Sequence, residues 1–479
     1  TLMSLHVHEL SFFRLPMETR FPFRYGIASM TRLPHLFVVA DVEIDGRRDT
    51  GFSAEGLPPK WFTKNPETTF DDDDLPGMLL VIRHAASAAI DIGSQTTFFD
   101  WWRELYETQY SWARATDCPP LLAGLGFSLI ERAVIDAFCR ARRLRFFDAL
   151  RDNAFGIELG WMREELTGLQ PVDVLPAAPR AEVSVRHTIG LGDPLRDDDV
   201  ADDEQVMDGL PHSLAANIRA YGLRYFKIKL CGKLEVDRDR LRQIAEVMAR
   251  EVAGPPSFTL DGNENYATLA EFRVEWEAHR SDPVLREFFD RGLLFVEQPI
   301  HRDAALADGV KRELDNWTDA PPIIIDESDA DLSCLPRALQ LGYSGTSHKN
   351  CKGVIKGLAQ LATISLRRSQ GIDSILSAED LGNVGPVALL QDLASVAAFG
   401  IEHVERNGHH YFAGLSMLPA QEQERTLQHH SDLYTRSKTG FPTLSIKKGR
   451  LDLTSVNASA FGVGEHPDAS LFEEWDLQE

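Results

Sequence analysis

The chain has few cysteines, and they are not arranged to form a disulfide framework or a zinc ribbon. Five cysteines occur among 479 residues, an odd number, and no Cys-x-x-Cys pair is found among them. A disulfide-stapled secreted domain is therefore not expected. No uninterrupted run of eighteen apolar residues occurs, which argues against a membrane-spanning helix. The first residues lack the basic start and apolar run of a signal peptide, so we expect a cytoplasmic protein with no membrane partner.

Positive charge is also scarce. Lysine and arginine together number 50 and aspartate and glutamate 73, which gives a formal net charge of −23. A field of this sign repels phosphate backbones, so nucleic acid is not an expected partner. Hydrophobic residues make up 43% and charged residues 26% of the chain, the composition of an ordinary globular protein with a large core. Acidity alone does not identify a substrate.

No Gly-x-Gly-x-x-Gly motif follows any predicted strand, which disfavours the runner-up fold, an open doubly wound sheet. Short apolar runs instead recur, each ending in polar or charged residues and each followed by a helical stretch. Eight such runs lie at 182–190, 223–230, 257–263, 293–299, 322–328, 343–349, 374–380 and 401–407. Strands that alternate with helices predict a parallel sheet, and eight units predict an α/β fold of the TIM type, a closed (β/α)₈ barrel.

The remaining segments predict a second unit. Residues 36–46 alternate as a strand and end in Asp-Gly, a hairpin signal, whereas 127–142 repeat apolar residues three and four apart, as a helix does. We therefore predict an N-terminal α+β capping domain over 1–150 and a catalytic barrel over 151–415. The segment 416–479 contains another strand-like stretch and is expected to return to the capping domain.

Two lysines end the second predicted barrel strand and one ends the sixth. Lys227 and Lys229 are two residues apart, so both side chains point to the same face, into the barrel. An edge strand with two surface lysines is the alternative, but a buried parallel strand has no solvated face. Lys349 ends the sixth strand and is expected to lie opposite Lys229 across the barrel mouth.

Carboxylates end the three strands between these lysines. Asp261, Glu297 and Asp326 come from three consecutive strand–helix units, and successive strands are about 4.8 Å apart. Helix capping would explain one acidic residue at a strand end, but not three in succession. Oxygen ligands without cysteine predict a Mg²⁺ site, with Mn²⁺ as the alternative.

A divalent cation between opposed lysines has a definite chemical use. A substrate carboxylate bound there has a more acidic neighbouring C–H, so a lysine can remove the α-proton while the cation stabilises the ene-diolate. A lysine must be partly neutral to act as a base, so we expect its pKa to fall below about 10.4.

Five motifs in this order, KIK, LDGN, VEQP, IDES and HKNCKG, resemble those of the enolase superfamily. Lysines on strands two and six resemble the muconate-lactonizing-enzyme subgroup of the mandelate racemase/muconate lactonizing enzyme family. The resemblance implies that Lys229 is the base, Lys227 its auxiliary, Lys349 the second acid/base, and Asp261, Glu297 and Asp326 the metal ligands. His348 departs from the pattern, since an aliphatic residue is usual there.

The resemblance also implies supporting and substrate-binding residues. Asn263 and Glu327 hold positions that orient ligands or lysines, and Glu405 at the end of strand eight is a candidate donor to a substrate carboxylate. In this superfamily, loops of the capping domain select the substrate. The candidate contacts in those loops are Arg24, Tyr25 and Lys60, of which Arg24 or Lys60 would meet a second anionic group; solvated surface positions are the alternative.

We therefore expect a Mg²⁺-dependent enzyme, a homo-oligomer, that abstracts the proton α to the carboxylate of a small molecule through an ene-diolate. Isomerase chemistry (a racemase, epimerase or cycloisomerase) is favoured, because lysines on opposite faces suit a 1,1-proton transfer. A lyase or dehydratase of the o-succinylbenzoate synthase or acid-sugar type is one alternative. A metal-binding barrel without catalysis is another.

Overall fold

Three antiparallel strands begin the chain. The computed structural model describes residues 4–477, in which β1 (Leu5–Tyr25), β2 (Ala28–Ile44) and β3 (Arg47–Gly56) pair in the order β1-β2-β3. Asp45 and Gly46 form the turn between β2 and β3, both with positive φ, as the Asp-Gly signal predicts. Three helices follow the strands: α1 (Leu75–Asp91), α2 (Phe98–Ala115) and α3 (Pro120–Arg142).

Helix α3 is the central element of this N-terminal unit. It is buried along almost its whole length and packs on β2 and β3 on one side and on α1 and α2 on the other. Gly51 of β3 allows the closest approach, because a Cβ there would lie 2.0 Å from the carbonyl oxygen of Ala133. The tight packing makes the sheet and α3 one rigid support for the loops at the strand ends.

Eight parallel strands follow, after the short helices α4 (Phe146–Arg151), α5 (Leu159–Met162) and α6 (Pro171–Val174). The strands are β4 (Glu182–Ile189), β5 (Tyr225–Lys229), β6 (Ser257–Asp261), β7 (Leu293–Glu297), β8 (Ile323–Ile325), β9 (Gly345–His348), β10 (Ile375–Ala378) and β11 (His403–Arg406). The intervening helices are α7 (Leu214–Tyr221), α8 (Leu234–Glu251), α9 (Leu269–Ser281), α10 (Pro283–Gly292), α11 (Arg302–Ala305), α12 (Gly309–Asp315), α13 (Cys334–Leu341), α14 (Val354–Ser369) and α15 (Ala388–Ala398). All eight predicted strands are present.

The eight strands form one curled sheet. Its order is β10-β9-β8-β7-β6-β5-β4-β11, so each strand from β4 to β10 pairs with its neighbour in sequence. Within residues 4–477, no backbone ladder joins β10 to β11; instead the buried Arg186 of β4 donates to Ser377 Oγ and to the carbonyl of Ala378. The curl brings the carboxyl ends of distant strands to one place, which is where the predicted site residues lie.

The C-terminal segment contacts both parts of the fold. It contains α16 (Gly408–Tyr411), α17 (Ala420–His429), β12 (Tyr434–Arg436), β13 (Pro442–Leu444), β14 (Arg450–Asp452), α18 (Thr454–Ala458) and β15 (Glu473–Glu474). The strand-like stretch forms two short strands: β13 pairs with β12, and β14 pairs with β4 of the curled sheet. The chain then pairs β15 with β1 of the N-terminal unit. None of the described helices is long and apolar enough to cross a membrane.

Candidate active site

A small cavity lies where the carboxyl ends of the curled sheet meet the N-terminal unit. Its volume is about 40 Å³, room for about three water molecules. Charged and amide side chains form the floor: Lys227, Lys229, Asp261, Asn263, Asp326, Glu327, Lys349, Glu379, Asp380, Glu405 and Asn407. Apolar and aromatic side chains form the roof: Phe23, Tyr25, Met30, Pro58, Trp61 and Leu381.

Both lysines of β5 point into this cavity, as their spacing predicts. Lys227 Nζ lies 2.8 Å from Glu297 Oε1 and 3.0 Å from both Asp261 Oδ2 and Glu405 Oε2, and it also pairs with Glu379. Lys229 Nζ donates to Asp261 Oδ2 at 2.6 Å. One buried ammonium therefore serves four carboxylates, whereas Lys229 has a single acidic partner.

Lys349 reaches the same cavity from β9, which is separated from β5 by three strands. Its Nζ lies 2.6 Å from Asp326 Oδ2 and 2.6 Å from Glu379 Oε1, and 4.7 Å from the centre of the Trp61 ring. Lys352 fixes Asp326 from below by donating to its Oδ1 at 2.9 Å and to its carbonyl at 3.0 Å. Lysines from two distant strands thus face one space.

The donor set fits a hard divalent cation. One oxygen from each of Glu297, Asp326 and Glu379 lies within 4.8 Å of the others, and all three residues are buried. Among residues 4–477, no group donates a hydrogen bond to the buried Oε2 of Glu297. Two of the three predicted ligands are in this group. The third, Asp261, is the register partner of Glu297 on the neighbouring strand and is bonded to Lys227 and Lys229.

Glu379 is the acidic residue that the sequence argument did not single out. It directly follows β10, in the predicted strand SILSAED, so its position at a strand end carried the same signal as the other carboxylates. Three carboxylates already completed a ligand set in the sequence argument. The curl of the sheet, which brings β10 close to β5 and β7, was not visible from spacing alone.

The pKa values of Lys227 and Lys349 are raised, opposite in direction to the fall expected of a lysine base. Burial by itself would lower the pKa of Lys349, but Asp326 and Glu379 outweigh burial and hold it well above the ordinary range. The pKa of Lys227 is raised in the same way by Asp261 and its other acidic partners, against the effect of burial. Nearby carboxylates outnumber the ammonium groups here and therefore raise the pKa of both lysines.

The supporting acids have pKa values shifted upward. Burial, with a contribution from Asp326, raises the pKa of Glu327 to about 8. Burial likewise raises the pKa of Glu405 to about 7, despite the attraction of Lys227. Both side chains line the cavity, as does Asn263, whose backbone N–H donates to Asp261 Oδ1 at 2.8 Å. The orienting role implied for Asn263 and Glu327, and the donor role implied for Glu405, stay predictions.

Of the three predicted loop contacts, only Tyr25 lines the cavity. Its hydroxyl donates to the carbonyl of Pro59 at 2.7 Å and so ties the two loops of the N-terminal unit together. Lys60 points away: it pairs with Asp74 at 3.0 Å and donates to the carbonyl of Asn65 at 2.6 Å. Arg24 lines a separate cavity beside Gly192. The solvated alternative describes Arg24, which is exposed, whereas Lys60 is held by Asp74.

Trp61 is the roof residue that covers the lysine of β9. Arg302 holds the backbone beside it, with Nη2 2.8 Å from the Trp61 carbonyl and Nη1 3.1 Å from that of Phe62. Glu264 accepts from the same guanidinium at 2.7 Å, and Lys64 donates to the Asn263 carbonyl. A segment of the N-terminal unit is thus bonded to the loops that follow the strands.

His348 faces away from the cavity. Its Nε2 lies 2.9 Å from Asn350 Oδ1, and its ring contacts Phe399 at 5.1 Å between centroids. Side chains alternate along a strand, so the residue before Lys349 necessarily points to the helix side of β9. The departure from the motif is therefore a packing feature.

Solved structures share this fold over most of its length. A mandelate racemase/muconate lactonizing protein from Herpetosiphon aurantiacus matches with a TM-score of 0.59 at 16% identity, covering 95% of this chain and 98% of that one. The L-Ala-D/L-Glu epimerase of Bacillus subtilis matches with a TM-score of 0.55 at 16% identity, covering 92% and 97%. An N-succinyl Arg/Lys racemase from Bacillus cereus matches with a TM-score of 0.57 at 15% identity, covering 95% and 97%.

No protein-family model and no curated protein sequence matches the chain. At these identities the likeness concerns the fold: the structure is of the kind found in mandelate racemase/muconate lactonizing enzyme proteins. The predicted resemblance to that group is confirmed at this level.

Proposed function

We propose that the chain is an enzyme that removes a proton from the carbon next to a substrate carboxylate, as an isomerase of the racemase or epimerase type. The observation that carries the proposal is that Lys229 and Lys349, which come from strands with three others between them, line one cavity together with six carboxylate side chains. When two lysine amines reach the same substrate carbon, one can remove its proton and the other can return a proton to it.

The bound cation belongs to this proposal. Asp261, Glu297 and Asp326 would hold Mg²⁺, or Mn²⁺ as the alternative, and the cation would supply the positive charge that makes the α-proton acidic. Buried carboxylates with an unpartnered oxygen on Glu297 support a cation there. Glu379 would then remain the shared partner of Lys227 and Lys349.

The chain's own residues have separate roles in this scheme. Lys229 takes the proton from one face of the carbon, with Lys227 holding Asp261 beside it. Lys349 serves the opposite face. Glu405, when protonated, donates to an oxygen of the substrate carboxylate. The N-terminal unit caps the site, because its roof residues exclude water from the reacting carbon.

One observation favours a second candidate, a lyase or cycloisomerase that uses a single base. The Trp61 ring over Lys349 stabilises a positively charged ammonium group, by about 0.5–2 kcal/mol. A lysine that stays charged steadies the anion formed at the α-carbon and moves no proton. In that case Lys229 alone would be the base.

Hydrogen exchange in D₂O tests the proposal. The protein with added Mg²⁺ is incubated with carboxylic acids that carry one α-hydrogen, and deuterium uptake is followed by NMR. We expect exchange that stops in EDTA and in the Lys229→Ala variant. Uptake that is unaffected by EDTA would contradict a role for the cation. Absence of uptake across all acids, together with specific Mg²⁺ binding, would favour the metal-binding barrel without catalysis.

A further inference from the structure

We propose that the substrate is a monocarboxylate whose α-carbon carries an uncharged, apolar substituent, and not an acid with a second anionic group. This inference rests on the proposed function of the same site. It concerns the half of the cavity that the proton-transfer chemistry does not use: the roof.

The roof offers dispersion contacts and no positive charge. Phe23, Met30 and Trp61 are at most 7% exposed, and Leu381 completes the wall at the edge of the cavity. The one hydroxyl, on Tyr25, is already used in its bond to the Pro59 carbonyl. An apolar substituent placed here removes apolar surface from water, whereas a carboxylate placed here loses its hydration without a partner.

The cationic groups of the cavity are confined to the floor. Of the described residues that line it, the cationic ones are Lys227, Lys229 and Lys349, and each pairs with carboxylates. Six carboxylate side chains line the same cavity. Even with a divalent cation bound, the three lysines and the cation can balance the charge of one substrate carboxylate far better than that of two.

The nearby cations outside the lining are bonded to other groups, in the case of Lys60, Lys64 and Arg302, or line a different cavity, in the case of Arg24. Lys60 is paired with Asp74, and Arg24 belongs to another cavity. Lys64 donates to the Asn263 carbonyl, and Arg302 is bonded to Glu264 and to two backbone carbonyls. Recruiting Lys60, Lys64 or Arg302 to a second substrate anion would break a buried or half-buried contact.

Three N-acetyl amino acids of similar size test the inference, since their side chains differ in charge and polarity. N-acetylleucine carries an apolar branch, N-acetylaspartate a negatively charged branch of similar shape, and N-acetylasparagine an uncharged polar one. Affinity for the Mg²⁺-loaded protein is measured by calorimetry and thermal shift, and deuterium exchange is measured in parallel. We expect N-acetylleucine to bind at least about tenfold more tightly than N-acetylaspartate, with N-acetylasparagine between them.

A matched pair of variants tests whether the roof causes the preference for N-acetylleucine over N-acetylaspartate. Leu381 is only partly buried, so Leu381→Arg and Leu381→Gln change the edge of the cavity without touching the proposed catalytic groups. Leu381→Arg should narrow the preference for leucine over aspartate about tenfold, and Leu381→Gln should change it much less. Equal effects of the two variants would show that charge at the roof does not decide the preference and would overturn the inference.

Binding and exchange together separate this inference from the proposed function. Preferred binding of N-acetylleucine without deuterium uptake would support the ligand class and contradict the proton-transfer function. Deuterium uptake with N-acetylaspartate as the better ligand would support the proton-transfer function and contradict the ligand class. Failure of all three acids to bind at millimolar concentration would overturn the inference.

Discussion

Trp61 of the N-terminal unit lies over the ammonium group of Lys349, with 4.7 Å between Nζ and the ring centre. The two residues belong to parts of the chain almost three hundred positions apart, so the contact depends on the docking of the roof on the curled sheet. It gives the roof a direct influence on a lysine of the proposed chemistry. Anything that moves the roof is therefore expected to affect both binding and proton transfer.

Arg302 is predicted to position this roof. The cavity of about 40 Å³ is smaller than the roughly 150 Å³ of one that binds benzene, so we expect the roof to shift when a substrate enters. Arg302→Gln removes the bonds to the carbonyls of Trp61 and Phe62. We expect KM to rise about tenfold with a smaller change in kcat, and hydrogen exchange of residues 57–64 to speed up.

The control for Arg302 is an exposed arginine. Arg273 pairs with Glu277 one helical turn away and is 40% exposed. Arg273→Gln should leave KM and hydrogen exchange of residues 57–64 unchanged. An Arg302→Gln protein whose exchange in this segment matches the wild type would contradict the positioning role.

Lys227 is predicted to contribute more to stability than any surface lysine. Its removal in Lys227→Met leaves four buried carboxylates without their shared counter-ion, and breaking such a buried pair costs about 3–5 kcal/mol. Added Mg²⁺ should restore part of this loss, because the cation supplies replacement charge. Urea unfolding with and without Mg²⁺ measures both effects.

Lys311→Met is the matched control for this experiment. Lys311 pairs with Asp315 on an exposed helix surface, where an ion pair is worth about 0.3–0.5 kcal/mol. The decrease in the free energy of unfolding of Lys311→Met should be small and independent of Mg²⁺. A Lys227→Met protein as stable as Lys311→Met would show that the carboxylate cluster does not need this ammonium group.

The third metal ligand is decided by comparing Asp261 with Glu379. We predict that Asp261→Asn weakens Mg²⁺ binding more than Glu379→Gln does, since Asp261 is the register partner of Glu297 at the end of the neighbouring strand. Calorimetric Mg²⁺ titration of the two variants, beside Glu297→Gln, is the measurement. The opposite order would assign the ligand set to Glu297, Asp326 and Glu379.

Much of this site follows from sequence because strand periodicity is strict. Because Lys227 and Lys229 are two residues apart on a strand, their side chains lie on one face, and the order of the strands places Asp261 beside Glu297. These positions required no knowledge of loops. The eight strands were predictable for the same reason, since each combines an apolar run with a polar end.

Loop conformation was not predictable in this way. Lys60 and Trp61 are adjacent in sequence, yet Lys60 turns to Asp74 and Trp61 turns into the cavity. Which of the two enters depends on the positive φ of Lys60 and on the Arg302 contacts, and neither leaves a signal in residue spacing. Glu379 was missed because its neighbours are set by the curl of the sheet.

A cluster of buried histidines predicts acid sensitivity. His187 Nδ1 lies 3.0 Å from His409 Nε2, and burial, together with the neighbouring His410, lowers the pKa of both far below 6.5. Below about pH 6.5 the unfolded chain therefore binds more protons than the folded protein. The free energy of unfolding keeps its full value above that pH and falls as the pH decreases below it. Each histidine should lower the free energy of unfolding by about 1 kcal/mol between pH 7 and pH 5.5.

Urea unfolding at the two pH values checks this prediction. His187→Gln removes one titrating group from the cluster, so its loss of stability between pH 7 and 5.5 should be about 1 kcal/mol smaller than that of the wild type. A lower stability of the variant at both pH values does not affect the comparison. An identical pH dependence for the two proteins would contradict the cluster as a source of acid sensitivity.

The most direct test of the account is enantiomer-resolved exchange of the α-hydrogen in D₂O by the Lys229→Ala and Lys349→Ala variants with Mg²⁺. If both lysines move protons, each variant loses interconversion by about 10²–10⁴-fold but still exchanges the one enantiomer whose C–H faces the remaining lysine. Lys349→Arg keeps the charge without a base near neutral pH and should behave like Lys349→Ala. A Lys349→Arg protein that converts both enantiomers at the wild-type rate would contradict the two-base account.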